Sequence, residues 1–300
     1  MPTNGGPLPH LPRNDRGGTP TVVITGATDG LGRALAFELS GRSGMRLVLH
    51  GRSPERLEKL EKELTGGPAD ITTVQGDLAE LAQVARLAER IRGITDDISV
   101  LVNNAGVSAG HARQLSADGH ELCFAVNHLA PFLLTQRLLP LLRAGAPARV
   151  VNVASLSQAP LDFDDLAMGH GYTRQRAYSA SKLALVMAGM ELGERCDPEV
   201  LTVNSVHPGT YMPTKMLDSP ELSIDSLDTG VQSVLRLAFD PELADVTGGF
   251  FDHGTETHAH PDAYRSELRA ELWRISTQLT AGLELSRGED GAQTANAKSV

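Results

Sequence analysis

Short runs of aliphatic and β-branched residues alternate along this chain with longer stretches in which apolar positions recur every three or four residues. Val22-Val23-Ile24 reads as a strand, and helical spacing begins directly afterwards at Leu31, Ala34, Leu35, Phe37 and Leu39. Arg46–Gly51 is the second strand, followed by a helix that opens with Ser53 at its cap and Pro54 in its first turn. Ile71–Gln75 makes the third strand, and Ala79–Ile91 an amphipathic helix with Leu81, Val84, Leu87, Ala88 and Ile91 on its core face. Ile98–Val102 is the fourth strand. The long helix beyond it contains Pro131, which predicts a kink or local opening near Asn127. Arg149–Ser155, Val203–Gly209 and Thr247–Phe251 supply the later strands, and a C-terminal helix runs through Leu268, Leu272, Trp273, Ile275 and Leu279. Strands that are apolar on both faces and alternate with helices predict an α/β domain, a doubly wound parallel sheet with helices on both faces.

A chain of 300 residues with 41% hydrophobic residues suffices for one domain, placed at 20–282. The stretches 1–19 and 283–300 are polar and aperiodic and read as disordered tails. No apolar run approaches eighteen residues and the start lacks a basic, then apolar, leader pattern, so a cytoplasmic protein without a membrane span is expected. Cys123 and Cys196 read as core thiols. A formal net charge of -10 argues against nucleic acid and anionic membranes as partners. Asp162, Asp164 and Asp165 read as turn caps, and His253, His258 and His260 lack ligand spacing, so no metal site is expected.

The chemistry begins between the first strand and its helix. Gly26 permits a sharp exit, Gly30 admits backbone close to a pyrophosphate, and Gly32 lets the helix approach the sheet. The helix N-terminus then faces the phosphates, although a glycine-rich cap without a ligand would show the same residues. At the end of the second strand an NAD enzyme places a carboxylate for the ribose 2′-OH, whereas this chain has Arg52 and no carboxylate before Glu55. A 2′-phosphate suits Arg52. Arg33 offers a second positive charge or a solvated helix residue, and the cofactor expected is NADPH/NADP+.

Thr25-Gly-x-x-x-Gly-Leu-Gly32, Asn103-Asn-Ala-Gly106, Asn127, the strand-end Ser155, Tyr178-x-x-x-Lys182 and Val203-Asn-Ser-Val-His-Pro-Gly209 occur in this order. Together they resemble the short-chain dehydrogenase/reductases over roughly residues 20 to 255. The 22 residues between Ser155 and Tyr178, with Leu161–Leu166 and Tyr172, resemble the retinol dehydrogenase and protochlorophyllide reductase-like branch. The resemblance implies a Rossmann-type sheet of order 3-2-1-4-5-6-7. It implies cofactor contacts from Gly26, Thr28, Asp29, Gly30, Leu31, Arg33, Arg52, Asp77, Leu78, Asn104, Ala105, Gly106, Tyr178, Lys182, Pro208, Gly209 and Thr210, with Asp77 on the adenine amino group. Thr214 competes with Thr210 for the carboxamide. A homodimer through the helix carrying Lys182 and the helix at Val231–Phe239 is possible by the same resemblance.

Tyr178 and Lys182 lie on one helical face, so both can reach one cleft. Reducing a carbonyl leaves an oxyanion that needs a proton, and a tyrosine with a pKa near 10 is a poor donor or base unless a nearby ammonium favours its ionised form. Lys182 fits that part, Ser155 would hydrogen-bond the same oxygen, and Asn127 would connect Lys182 to solvent through a water. The reaction expected is hydride transfer between nicotinamide and a carbonyl or alcohol of a small to medium apolar molecule. A dehydration or epimerisation on the same fold, or cofactor sensing without turnover, are the alternatives. Pro208–Leu217 and the loop to Ser226 are expected to form a mobile lid, with Tyr211, Met212, Met216 and Leu217 as its apolar surface.

Overall fold

A computed structural model describes residues 19–108, 110–214 and 223–283. Strands β1 (Thr21–Ile24), β2 (Arg46–Gly51), β3 (Asp70–Gln75), β4 (Val100–Asn103), β5 (Ala148–Val153), β6 (Leu201–His207) and β7 (Phe250–Asp252) pair in parallel in the order β3-β2-β1-β4-β5-β6-β7. The order expected from the sequence is therefore present. A further strand, β8 (Thr255–Thr257), extends the edge in antiparallel fashion. It is reached through His253 and Gly254, both at positive φ (+51° and +85°), the left-handed two-residue turn that matches strand twist.

Eight helices, α1 (Gly30–Ser40), α2 (Pro54–Leu64), α3 (Leu81–Arg92), α4 (Leu122–Phe124), α5 (Ala130–Ala144), α6 (Arg174–Arg195), α7 (Leu227–Phe239) and α8 (Ser266–Leu279), are described. Successive strand residues face opposite sides, so β1 sends Val23 into the core under α3, α5, α6 and α8, and Val22 and Ile24 into the core under α1 and α7. Because every crossover is parallel, the C-terminal ends of β1 to β7 share one edge. The strand order reverses between β1 and β4, where α/β sheets open a binding crevice.

The opening expected near Asn127 is a π-helical turn, Ala125–Leu129, between α4 and α5. Pro131 has no N–H to return to the Asn127 carbonyl four residues earlier, so the α-helical ladder cannot close there. The helical run Leu122–Ala144, with a mean hydropathy of 1.2, is long and apolar enough to cross a membrane, which the count of apolar residues had not anticipated. Its most apolar window is 78% buried inside the domain, as befits a core helix.

Helix α6 carries Tyr178 and Lys182 and is buried almost all round. The sheet takes one side and α8 the other. Arg269 of α8 is buried and pairs with Glu191 at 3.4 Å and with Glu194. Ser276 Oγ lies 2.8 Å from His128 Nε2 in the π turn, and Trp273 stands edge-on to Phe132 with centroids 5.0 Å apart.

Trp273 also carries the Arg195 guanidinium 4.5 Å from its ring, so it joins α8 to both α5 and α6. Replacing Trp273 with Ala is expected to cost about 2–4 kcal/mol. Thermal melts followed by circular dichroism check this, because the variant removes the chain's one tryptophan. A loss under about 1 kcal/mol would show that the ring does not anchor α8.

Candidate active site

The glycine turn after β1 is held by backbone contacts that side chains would block. Gly26 and Gly30 have φ of +69° and +49°, and a Cβ at Gly32 would overlap the Gly26 carbonyl and the Asn104 amide nitrogen. Asp29 caps α1, accepting the Gly30 N–H at 2.9 Å, and its other oxygen lies 3.1 Å from Arg56. Thr28 lies against Gly51, where an added Cβ would come within 2.5 Å of its methyl. The turn is tied to the end of β4 by a small knot. The Thr25 hydroxyl accepts the N–H groups of Asn104 and Ala105, each at 3.0 Å, while the Asn104 side chain donates to the carbonyls of Thr25 (2.8 Å) and Gly26 (3.2 Å).

A second tie comes from His50, a residue that sequence reasoning passed over. Its Nδ1 accepts the Gly26 N–H at 3.2 Å and its Nε2 lies 3.0 Å from the Gly76 carbonyl. A carbonyl only accepts, so Nε2 carries the proton and the ring is neutral. Burial agrees, lowering its pKa to about 4. One buried ring thus joins the ends of β1, β2 and β3. A histidine closing a parallel strand was the available signal.

The two expected arginines part company. Arg52 stands 75% exposed at the end of β2, with Asp77 3.9 Å away, whereas Arg33 pairs with Glu63 at 2.7 Å and lies over the Phe37 ring at 4.5 Å. Asp77 accepts the Ala79 N–H at 2.9 Å in the turn before α3, and Leu78 beside it is buried. Arg56, on the first turn of α2, is a third cation that the sequence did not single out.

At the ends of β4, β5 and α6 the structure brings Asn127, Ser155, Tyr178 and Lys182 together. The Ser155 hydroxyl faces the Tyr178 phenol, and its Oγ accepts the Ser157 N–H at 3.0 Å. Lys182 is 3% exposed, donates to the Val153 carbonyl at 2.8 Å and sits 5.7 Å from the centre of the Tyr178 ring. Burial pulls its pKa down to about 8 and pushes that of Tyr178 up, with the Ser155 contact opposing the latter. The lowered Tyr178 pKa expected from a neighbouring ammonium is therefore not present in this state. The lysine is spent on a backbone carbonyl and is itself poorly solvated. Asn127 accepts the Val107 N–H (2.8 Å) and donates to the Val107 carbonyl and Ser181 Oγ, each at 2.9 Å. Its side chain is fully committed, and its backbone carbonyl receives no α-helical bond from Pro131, which lacks an N–H.

Beside Tyr178 an apolar cluster forms from Cys123, Met168, Ala177 and Ala180, with Val107 and Leu161 packed on it. The insert before α6 supplies part of it and is pinned by Tyr172 to the Gly110 carbonyl (2.8 Å) and by Arg113 to the Ala167 carbonyl (2.7 Å). Asp165 accepts the N–H groups of Gly169 and His170, and Asp162 that of Asp164, so these two carboxylates cap turns. After β6, the Pro208 carbonyl accepts the Ser233 hydroxyl and an added Cβ at Gly209 would approach Asp225 at 3.1 Å. Thr210 donates its N–H to Asp225 at 2.6 Å, while Thr214 lies against Gly30. Tyr211 is 61% exposed, but Met212 turns inward onto Gly230 rather than offering surface to a substrate. Met216, Leu217 and the loop to residue 222 lie outside the described residues.

A strand-end crevice with a glycine turn, a helix N-terminus and a Ser-Tyr-Lys cluster defines a nucleotide-dependent oxidoreductase of the α/β class. The family model for short chain dehydrogenases matches residues 20–222, and the chain belongs to that family. It is 35% identical over 284 residues to human retinol dehydrogenase 13, covering 88% of this chain and 85% of that one. It is 37% identical over 290 residues to a Streptomyces protein bearing the name "Putative daunorubicin C-13 ketoreductase DnrU", covering 92% and 96%. These relatives place it in the retinol dehydrogenase-like branch. Among solved structures, the Pseudomonas aeruginosa RhlG/NADP active-site complex superimposes with a TM-score of 0.65 at 25% identity, covering 81% of this chain and 97% of that one.

His50 and the buried His128, lowered to about 3 by burial, give the fold an acid-side liability. Both folded pKa values lie below the ordinary 6.5, so the unfolded chain takes up these protons first as pH falls. The associated loss of stability begins near pH 6.5, grows down to about pH 4 for His50 and about pH 3 for His128, and is absent above 6.5. Unfolding midpoints at pH 7.5 and 4.5 check this, with His128→Asn expected to flatten the slope while lowering stability at pH 7.5. An unchanged slope in that variant would assign the acid loss to carboxylates instead.

Proposed function

We propose that this chain is an NADPH-dependent reductase of ketones or aldehydes, running in reverse as an alcohol dehydrogenase, with a small to medium apolar substrate. The observation that carries the reading is the Ser155–Tyr178–Lys182 arrangement at the strand ends next to the glycine turn. The glycines let the turn pack against Ala105 and the Asn104 amide where a Cβ would clash, which brings the α1 N-terminus to the strand ends, so the turn suits a pyrophosphate. Arg52, exposed where a carboxylate would select NAD, suits a 2′-phosphate, and Asp77 suits the adenine amino group. The RhlG complex is a relative holding NADP, and the names of the other two relatives describe an alcohol and a ketone as substrates.

When bound, NADPH supplies the hydride. Tyr178 is the general acid: burial keeps its phenol protonated, and Ser155 orients both that hydroxyl and the substrate oxygen. Lys182 holds the nicotinamide ribose hydroxyls and helps return a proton to Tyr178, with the Asn127 carbonyl holding the water that leads to solvent. The buried apolar cluster of Cys123, Met168 and Ala177 packs beside Tyr178 and keeps water from that side of the proton donor. The cytoplasmic setting expected from the sequence belongs to this reading; the apolar run Leu122–Ala144 is largely enclosed in the domain. Cell fractionation tests it.

Turnover is measured as loss of NADPH absorbance against a panel of ketones and aldehydes. Tight NADPH binding with no turnover on the panel would favour the sensing alternative. Tyr178→Phe is expected to lower kcat at least about 100-fold with NADPH affinity within about twofold, whereas Lys182→Ala should damage both. Retention of a tenth of the activity by Tyr178→Phe would show that another group supplies the proton.

For the cofactor, Arg52→Asp is expected to erase a roughly 10- to 100-fold preference for NADPH over NADH, the value of one charge-assisted contact. Equal dissociation constants for the two cofactors in the unmodified protein would remove the role given to Arg52.

A further inference from the structure

Outside the cluster already described, a chain of titratable side chains sits where β6 leaves the sheet: His207 and Asp225 touch Thr210, and His253 joins Asp225 to Asp252. His253 places Nδ1 2.6 Å from Asp252 Oδ1 and Nε2 2.8 Å from Asp225 Oδ2. Carboxylates only accept, and a neutral imidazole has one N–H, so only the imidazolium satisfies both contacts. Asp225 in turn closes the base of the loop that begins at Thr210. Its Oδ2 accepts the Thr210 N–H at 2.6 Å and its own N–H donates to the Thr210 carbonyl at 3.1 Å. One pair further out, the Ile224 N–H reaches the Tyr211 carbonyl at 3.3 Å.

We propose that His253, as the imidazolium, is a positioning residue for the loop after β6: it holds the Asp225 carboxylate, which fixes Thr210 beside the cofactor's carboxamide end. The inference rests on the reading of Thr210 as part of the cofactor site. His253 is well placed for such a part, because it sits at the β7–β8 turn on a left-handed backbone and donates its own N–H to the His207 carbonyl at 3.0 Å. The His207 ring stands edge-on to it at 5.6 Å and reaches the Thr210 hydroxyl at 3.1 Å, so the loop base is held from two strands.

The charges facing this ring come from four directions. Asp252 on β7 and Asp225 ahead of α7 touch it. His207 on β6 packs against it and feels Lys182 beyond. From α7, Arg236 and Asp240 line with it an open groove of about 410 Å³, through which solvent protons reach the ring. Arg236 is itself engaged by Asp240 at 3.6 Å and Glu242 at 3.8 Å, so it does not compete for Asp225. The Asp225 contact raises the His253 pKa above 6.5, and the Thr210 N–H holds that of Asp225 below the usual carboxylate range. With the folded pKa raised, the clasp is complete below pH 6.5 and is lost as pH rises through the raised value.

NADPH dissociation constants measured by fluorescence from pH 5.5 to 8.5 test this in the unmodified protein, His253→Gln and Asp225→Asn. The unmodified protein should bind about 3- to 10-fold more tightly at pH 6 than at pH 8.5. Each variant should bind at pH 6 as the unmodified protein binds at pH 8.5, with the KM for NADPH changing more than kcat. The double variant should be no worse than either single one, which general destabilisation would not produce. In the unmodified protein, the His253 pKa read by NMR should rise when NADPH binds, a linkage that needs no variant to fold. A His253→Gln protein with unmodified affinity at pH 6, or a His253 pKa unmoved by NADPH, overturns the clasp alone. Failure of the unmodified chain to bind NADPH at any pH overturns the cofactor reading and the clasp with it.

Discussion

The Thr25–Asn104 knot is the constraint on which the crevice depends. Parallel strands can place their C-terminal ends at one edge, but they do not by themselves fix how two neighbouring loops leave that edge. Here one hydroxyl accepts two N–H groups and one carboxamide donates to two carbonyls, so the exits of β1 and β4 become a single piece. The glycines follow from it. A Cβ at Gly32 would fall on the Asn104 amide and one at Gly26 on Ala105, so the knot and the open phosphate turn require each other. Such buried polar networks are costly when half satisfied and rigid when complete.

Much of this was legible because it is local or periodic. The parallel strands of Val, Ile and Leu, the cap at Ser53 with Pro54, and the break at Pro131 each follow from a short stretch of chain. The candidate cluster was legible through motif order, which placed Asn127, Ser155, Tyr178 and Lys182 at strand or helix positions that one fold brings together. What escaped was long-range pairing of polar side chains. Arg33, after the third glycine, pairs with Glu63 thirty residues on, a partner its own stretch does not show. His50 acts through partners on other strands, and His253 through Asp225, twenty-eight residues away, as well as its neighbour Asp252. The β8 hairpin left a weak trace in the His253-Gly254 pair, too short a signal to set against an expected final strand.

Helix α6 shows how packing constrains the site. Its face toward the sheet carries Tyr178 and Lys182, and its far face would be exposed surface if α8 did not cover it. The cover is also polar and specific: Arg269 meets Glu191, and Ser276 meets His128 in the same π turn that holds Asn127. The C-terminal helix thus braces the interruption that frees the Asn127 carbonyl. A π turn costs regular hydrogen bonds and persists only where the surroundings enforce it.

Burial acts on Tyr178 and Lys182 in one direction, toward the uncharged form of each: the phenol is raised and the ammonium lowered to about 8. The folded site therefore rests with the proton on Tyr178, as an acid ready to donate. Under the proposed mechanism that state serves carbonyl reduction without prior ionisation, whereas alcohol oxidation needs a phenolate that the interior disfavours. Lys182 supplies the counterweight only while it is charged, which below pH 8 it is. Ser155 is the one contact that lowers the Tyr178 pKa in this state, so the balance between directions hangs on a hydroxyl and on how far Lys182 turns from Val153 toward the phenolate. A single hydrogen bond of about 1 kcal/mol is a little under one pKa unit, too small to make the base at neutral pH unaided. Under the proposed mechanism, oxidation would draw on Lys182 and on alkaline pH, whereas reduction would start from the protonated phenol that burial already favours near neutrality.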